Sequence, residues 1–301
     1  MKIFTFCSIL LVSGFSLSAQ DFLGSSSYFM NPFSLNTAYS APGGDLFAAF
    51  QANKYTGSQS EKGAEYISFG TYYGLGRGLS SGLRMNSQSL GMINYQGLDV
   101  SLAYMAGITE DHYLSFSLAA GLLREKLESS DVKYSPYVDQ DDPLLNSDNV
   151  YDHTQLTLGG GFVYNVYKFQ LSYYMPYLVK GNESLKFDFN TLAKFTYTHY
   201  KSIVSVENYV MYRYFHDGSG FYDGGLLVGW SKTLWLNLAY RSTKSVNAGV
   251  AFENSGFKVG YSYNHPFGEF NELITGKHEL TVTYSVEDLG RRRPYFFRKS
   301  R

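Results

Sequence analysis

Six histidines are spread along the chain: His112, His153, His199, His216, His265 and His278. None stands in a His-Glu-x-x-His or other metal-ligand spacing. His278-Glu279 opens the last candidate strand, where a rim or register contact is a plainer reading than acid–base chemistry. Five aspartates, Asp139, Asp141, Asp142, Asp148 and Asp152, crowd one long segment. Several carboxylates suit a hard cation, but the glycine that an EF-hand loop needs at its sixth position is missing, so the segment reads first as a solvated acidic loop. No nucleophile elbow is expected. The last eleven residues gather Arg291, Arg292, Arg293, Arg298, Lys299 and Arg301 around Tyr295, Phe296 and Phe297, with no acid among them. This is either a docking element for a partner protein or anionic headgroups, or a frayed terminus.

No catalytic residue, cofactor-binding residue or metal ligand is nominated by these patterns, and no enzyme is expected. Of 25 basic residues, six lie in the tail and one is Lys2, leaving 18 against 26 acids; the body is therefore near −8. The whole chain is at −1, which excludes nucleic-acid binding driven by bulk charge.

The elements that would position these residues are strands. Charged residues make up 17% of the chain, below the roughly 25% of an average soluble protein. Aromatics make up 18%, with 28 Tyr and 23 Phe against 2 Trp, which argues against disorder. Lys2, the largely apolar run Ile3–Val12 and the small residues ending at Ala19 read as a secretory leader over 1–19. Cys7, the only cysteine, falls inside it, so no disulfide framework is expected in the mature chain. Beyond it, no stretch approaches the ~18 apolar residues of a membrane helix.

A period of two recurs instead. Leu114, Phe116, Leu118, Ala120 and Leu122 alternate with Ser115, Ser117, Ala119 and Gly121. Leu98, Val100, Leu102 and Tyr104 alternate with small or polar residues, as do Phe195 and Tyr197 in the stretch 185–198. Phe257, Val259, Tyr261 and Tyr263 alternate with Lys258, Gly260, Ser262 and Asn264, and Leu280, Val282, Tyr284 and Val286 with Glu279, Thr281, Thr283 and Ser285. Such alternation predicts strands with one apolar face. Fourteen are expected, at 45–55, 64–74, 79–88, 97–108, 113–128, 154–165, 167–179, 184–199, 200–214, 220–231, 233–242, 244–254, 256–266 and 278–286. Most have the ~9–11 residues that a tilted strand needs to cross a bilayer.

The connections after even-numbered strands are short, and the longest loop, at 129–153, follows an odd one. That parity is the arrangement of an outer-membrane barrel, with both termini on the short-turn, periplasmic side. The fold expected is an all-β transmembrane outer-membrane β-barrel of about 14 antiparallel strands. Residues 1–19 would be the leader, 20–44 a periplasmic or plug segment, 45–286 the barrel and 287–301 a basic periplasmic tail. A soluble β-sandwich is the competing architecture; it has no reason to sort loop lengths by parity.

Several segments together resemble the PorP/SprF family of type IX secretion system outer-membrane proteins. The run Ser27-Tyr28-Phe29-Met30-Asn31-Pro32-Phe33-Ser34-Leu35-Asn36-Thr37-Ala38-Tyr39 is similar to the family's post-leader motif. Leu114–Gly121, the acidic Asp139-Gln140-Asp141-Asp142-Pro143, Tyr261-Ser262-Tyr263 and Gly276-Lys277-His278-Glu279-Leu280 follow in the family's order. The resemblance implies a non-enzymatic barrel in the bacterial outer membrane, serving protein secretion and gliding motility. Its partners would be outer-membrane lipid, type IX components including a periplasmic peptidoglycan-binding lipoprotein, and a secreted substrate's C-terminal domain. Tyr28, Met30, Asn31, Pro32, Asn36, Asp141, Asp142, Pro143, Gly276, His278 and Glu279 would be structural motif positions. Arg291, Arg292, Arg293, Tyr295, Phe296 and Phe297 are the candidate partner contacts. A small-molecule channel or transporter is the alternative function. The state of the lumen separates the two: a porin keeps it open, and a docking barrel plugs it.

Overall fold

The computed structural model describes residues 26–42, 45–56, 64–90, 93–109, 112–127, 152–181, 191–201, 203–215, 220–267 and 276–286. Fourteen antiparallel strands form one closed barrel. They are β1 (Leu46–Thr56), β2 (Glu65–Gly76), β3 (Leu79–Leu90), β4 (Ile93–Thr109), β5 (His112–Leu127), β6 (Asp152–Val166) and β7 (Phe169–Lys180), followed by β8 (Thr191–Lys201), β9 (Val204–Tyr214), β10 (Gly220–Trp230), β11 (Leu234–Arg241), β12 (Ser245–Asn254), β13 (Phe257–Pro266) and β14 (Gly276–Val286). Each pairs with its sequence neighbours. The seam closes between β1 and β14, in register from Leu46↔Val286 to Thr56↔Gly276. Among the described residues no strand is left at an edge, which is the condition for a sheet to span a membrane. Among the described residues no helix is long and apolar enough to cross one.

The alternation read from the sequence sets the two faces. Leu118 is 73% exposed on the outside, and Phe116, Val100, Leu102, Leu238, Phe257 and Val259 share its face. Their neighbours Ser115, Ser117, Ser101, Asn237 and Gly260 are buried inside. The apolar parity therefore points outward, the reverse of a soluble barrel.

Turns after even-numbered strands are tight. Arg77-Gly78 and Ser255-Gly256 have positive φ at both residues, which is the backbone of a two-residue hairpin turn matched to strand twist. At Gly78 and Gly256 a side chain is barred twice over. The φ is +81° and +84°, and a Cβ would lie 2.6 Å from Met105 O and 2.3 Å from Ser285 O respectively. The strand bounds differ from expectation mainly at β8. It is described from Thr191 rather than 184, and its turn to β9 falls after Lys201 rather than near Tyr200.

Two short helical turns precede β1: α1 (Pro32–Leu35) and the 3-10 turn Thr37–Ser40. They lie inside the ring, and the packed interior of the molecule forms around them.

Candidate functional site: the filled lumen

The segment 26–42 owes its shape to two asparagines. Asn31 caps α1 by accepting from Ser34 N at 3.2 Å, with Pro32 at the first helical position, where a missing N–H costs nothing. Asn36 ends α1, and its Oδ1 caps the next turn by accepting from Ala38 N at 2.9 Å. The Asn36 Nδ2 lies 3.0 Å from Phe162 O, 3.1 Å from Tyr173 O and 2.9 Å from Ser172 Oγ, fixing the segment to β6 and β7. Asn31 and Asn36 are both buried.

Three ionic clamps hold the segment to the barrel wall. At the first, Arg241 Nε donates to Asp223 Oδ1 at 2.8 Å, and its Nη2 donates to Tyr28 Oη at 2.7 Å. Tyr28 completes the triangle by donating to Asp223 at 2.5 Å. The Arg241 guanidinium also lies 4.5 Å from the centre of the Phe221 ring. Burial, with the Asp223 carboxylate opposing the Arg241 charge, pushes the Tyr28 phenol well above its ordinary range.

At the second clamp, Glu279 accepts from the backbone N–H of Ser26 at 2.9 Å and of Ser27 at 2.8 Å, one bond to each oxygen. Lys277 stands 3.6 Å from Glu279 and donates to Ser26 Oγ at 2.5 Å. At the third, Arg84 donates to Ser34 O at 3.2 Å, to Tyr174 Oη at 2.6 Å and to Asp99 at 3.3 Å.

Hydroxyls and close contacts fill the rest. Thr37 donates to Ser117 at 2.8 Å, Ser115 to Ala38 O at 2.7 Å and Tyr39 to Gln170 at 3.0 Å. Ser40 meets Ser80 at 2.7 Å, and Ser27 meets Ser262 at 2.7 Å. Phe33, 1% exposed, presses on Gly82, where a Cβ would come within 2.5 Å of its ring; Met30 presses on Gly260 in the same way, at 2.8 Å.

These contacts draw Tyr28, Met30, Asn31, Asn36 and Glu279 together in one interior, while Pro32 only starts α1. Gly276 sits at the seam, its carbonyl accepting from Thr56 at 3.3 Å. His278 points outward, within 2.6 Å of Tyr261 Oη. Asp141, Asp142, Pro143, Arg291, Arg292, Arg293, Tyr295, Phe296 and Phe297 lie outside the described residues. Sequence reasoning missed Arg84, Asp99, Asp223, Arg241 and Lys277 as site residues. Their signal was present: a charged residue at the lumen-facing parity of a strand.

One string does fit the Gly-x-Ser-x-Gly spacing, contrary to expectation: Gly78-Leu79-Ser80-Ser81-Gly82. It runs from a hairpin turn into β3, not from a strand into a helix, and Ser80 is bonded to the serine of the plug. It is a wall position, without the strand–turn–helix context of a nucleophile elbow. Among the described residues no group of three or more His, Cys, Asp or Glu is arranged to hold a metal.

The family model of the type IX secretion system membrane protein PorP/SprF matches residues 17–284. No curated protein matches the sequence at a significant level. Among solved structures, the CymD monoaromatic hydrocarbon channel is similar over 86% of this chain and 93% of its own, at 10% identity and a TM-score of 0.57. A Pseudomonas aeruginosa FadL homologue covers 89% of this chain and 96% of its own, at 11% identity and a TM-score of 0.48. At such identities the likeness to CymD shows a shared barrel fold and nothing of ligand.

Proposed function

This chain belongs to the PorP/SprF family of type IX secretion system membrane proteins, and on that premise we propose that it is a plugged, non-enzymatic docking barrel rather than a channel. A membrane protein of a secretion system that crosses with a closed barrel is an outer-membrane barrel. The finer reading rests above all on the three clamps that fix residues 26–42 across the lumen. A diffusion porin keeps a water-filled lumen, whereas here the N-terminal segment is tied to walls on opposite sides. A docking scaffold gains a rigid interior that holds the rims in fixed relation.

Leu46 and Val286 lie side by side at the short-turn rim. In our reading that rim is periplasmic, and the basic tail 287–301 meets the periplasmic machinery, including a peptidoglycan-bound lipoprotein. The 129–153 loop then projects from the cell, where the C-terminal domain of a secreted substrate is met. Charge on the tail speeds encounter, and its aromatics anchor the complex.

Two measurements test this. In planar bilayers the full-length protein should give little steady conductance, and deletion of residues 20–44 should produce channels; large steady channels in the intact protein favour the small-molecule reading. In co-purification from native membranes, removal of 291–301 should release periplasmic partners and leave the barrel folded. Shortening 129–153 should impair substrate retention alone. Loss of all partners on loop shortening, with no effect of tail removal, would reverse the sides.

A further inference from the structure

The outward row of β9 reads Val204, Val206, Asn208, Val210, Tyr212. Asn208 is the fifth of eleven residues, exposed on the face that Val210 and Tyr212 share. Its carboxamide makes no side-chain hydrogen bond within the described chain. Thr71, another polar residue at an outward mid-strand position, is by contrast satisfied: it donates to Phe47 O at 2.7 Å. An unpartnered amide in hydrocarbon costs free energy, because no water is there to replace the bond. The surface beside it is uneven. On β10, Gly224 pairs with Val210, and nothing lies within 4 Å of where its Cβ would stand. On the other flank, β8 projects Phe195 and Tyr197, which pair with Val210 and Asn208.

We propose that the β8–β9–β10 face joins two copies of this chain side by side in the membrane, with their Asn208 amides bonded to each other. Two barrels inserted in the same sense are related by a two-fold axis along the membrane normal, so each outward residue of β9 stands at the depth of its counterpart; tilted strands cross there, and Asn208, placed on the axis, meets its own copy. A primary amide both donates and accepts, and is therefore complementary to itself. The same rotation lays the β8 flank of one copy, with its rings, against the β10 flank of the other, where Gly224 leaves room. Lipid tails offer the amide neither donor nor acceptor. A membrane segment of a different protein is the rival occupant.

The test uses the full-length chain in native outer membranes. Cys7 is its only cysteine, so a Cys7→Ser background allows single sites to be read cleanly. Val206→Cys and Val210→Cys, which flank the crossing point and leave Asn208 in place, are treated with a short bifunctional thiol cross-linker beside the control Leu118→Cys. The expected product at 206 and 210 is a cross-linked species of twice the chain mass, absent at 118. Adding Asn208→Leu to Val210→Cys should lower its yield by about threefold to tenfold while the barrel stays folded. Three results overturn the proposal. The first is an adduct of another mass at 206 or 210, which assigns the face to a different protein. The second is a free thiol there, alkylated by a lipid-soluble maleimide as readily as at 118, which assigns it to lipid. The third is a yield unchanged by Asn208→Leu, which removes the amide from the contact.

Discussion

Tyr28 donates its phenolic proton to Asp223 across 195 residues of chain, at 2.5 Å. The contact ties the N-terminal segment to β10, with Arg241 bridging both groups. Tyr28→Phe removes a hydrogen bond to a charged acceptor and should destabilise the folded barrel by about 1.5–3 kcal/mol. Asp223→Ala strands the buried Arg241 charge and should cost about 3–5 kcal/mol. In the double variant the two losses should fall well short of their sum, because the second change removes a partner already lost. Urea unfolding in lipid vesicles measures this; simple additivity would mean that the triangle does not exist in solution.

Alkali should weaken the same clamp. The folded-state pKa of Tyr28 is raised above its ordinary value near 10 by burial. Its contribution is therefore fully present below the unfolded value and is lost as pH rises toward the folded one, where the unfolded chain releases a proton that the folded chain keeps. Stability of the wild type should fall above about pH 10, and the fall should be shallower in Tyr28→Phe. Parallel curves for the two proteins would place the alkaline loss on other tyrosines.

Steric pressure should loosen the plug without touching a charge. A Cβ at Gly82 would meet the Phe33 ring at 2.5 Å, and one at Gly260 would meet Met30 Cε at 2.8 Å. Gly82→Val and Gly260→Val should each cost about 1–3 kcal/mol by overpacking. Combined, they should raise single-channel conductance over the wild type while the barrel keeps its folded mobility on gels. Unaltered conductance in a folded double variant would show that the plug re-seats.

The two faces should differ sharply in their tolerance of arginine. Leu118→Arg puts a cation into acyl chains and should cost about 2–4 kcal/mol near the midplane. Ser117, its inward neighbour, looks from the alternation alone like the tolerant counterpart. The structure disqualifies it, because Ser117 is buried beneath Thr37. Thr198 is the better comparison: it faces the lumen directly across from Glu207. Thr198→Arg should change stability by less than about 1 kcal/mol. Equal losses at 118 and 198, measured by unfolding in vesicles, would contradict the assigned parity.

The contrast between Leu118 and Ser117 also marks how far the sequence could be read. The period of two identifies fourteen strands and the outward face of each, because lipid imposes a local rule: every second side chain must be apolar. Tight turns such as Ser255-Gly256 are legible for an equally local reason. The interior obeys no local rule. Glu279 stands out as one residue of a motif, but its partners Ser26 and Ser27 lie more than 250 residues away. Asp223 and Arg241 carry no motif, and only their inward parity among apolar neighbours hints at a buried pair. Asn36, by contrast, is legible as part of a motif yet illegible in role, since its contacts on β6 and β7 are set by how the segment is threaded.

That threading makes one strand answerable for two things. The segment gripped by Glu279 and Lys277 is the first part of the described chain, and the strand that grips it is the last. Only Ala41 to Asp45 separate the plug's final turn from the strand that β14 must meet at the seam. A tether of that length keeps the segment beside the rim where β1 begins, so its binding inside the ring is an intramolecular event at high effective concentration. Strand β14 carries both the seam to β1 and the grip on Ser26 and Ser27, so the docking of that strand is the step that secures the wall and its contents. Contacts spanning nearly the whole sequence make such a step slow. Loss of the Glu279 carboxylate should free the first residues of the plug while the seam stays paired, so that a leaking barrel, not an open sheet, is the defect to expect.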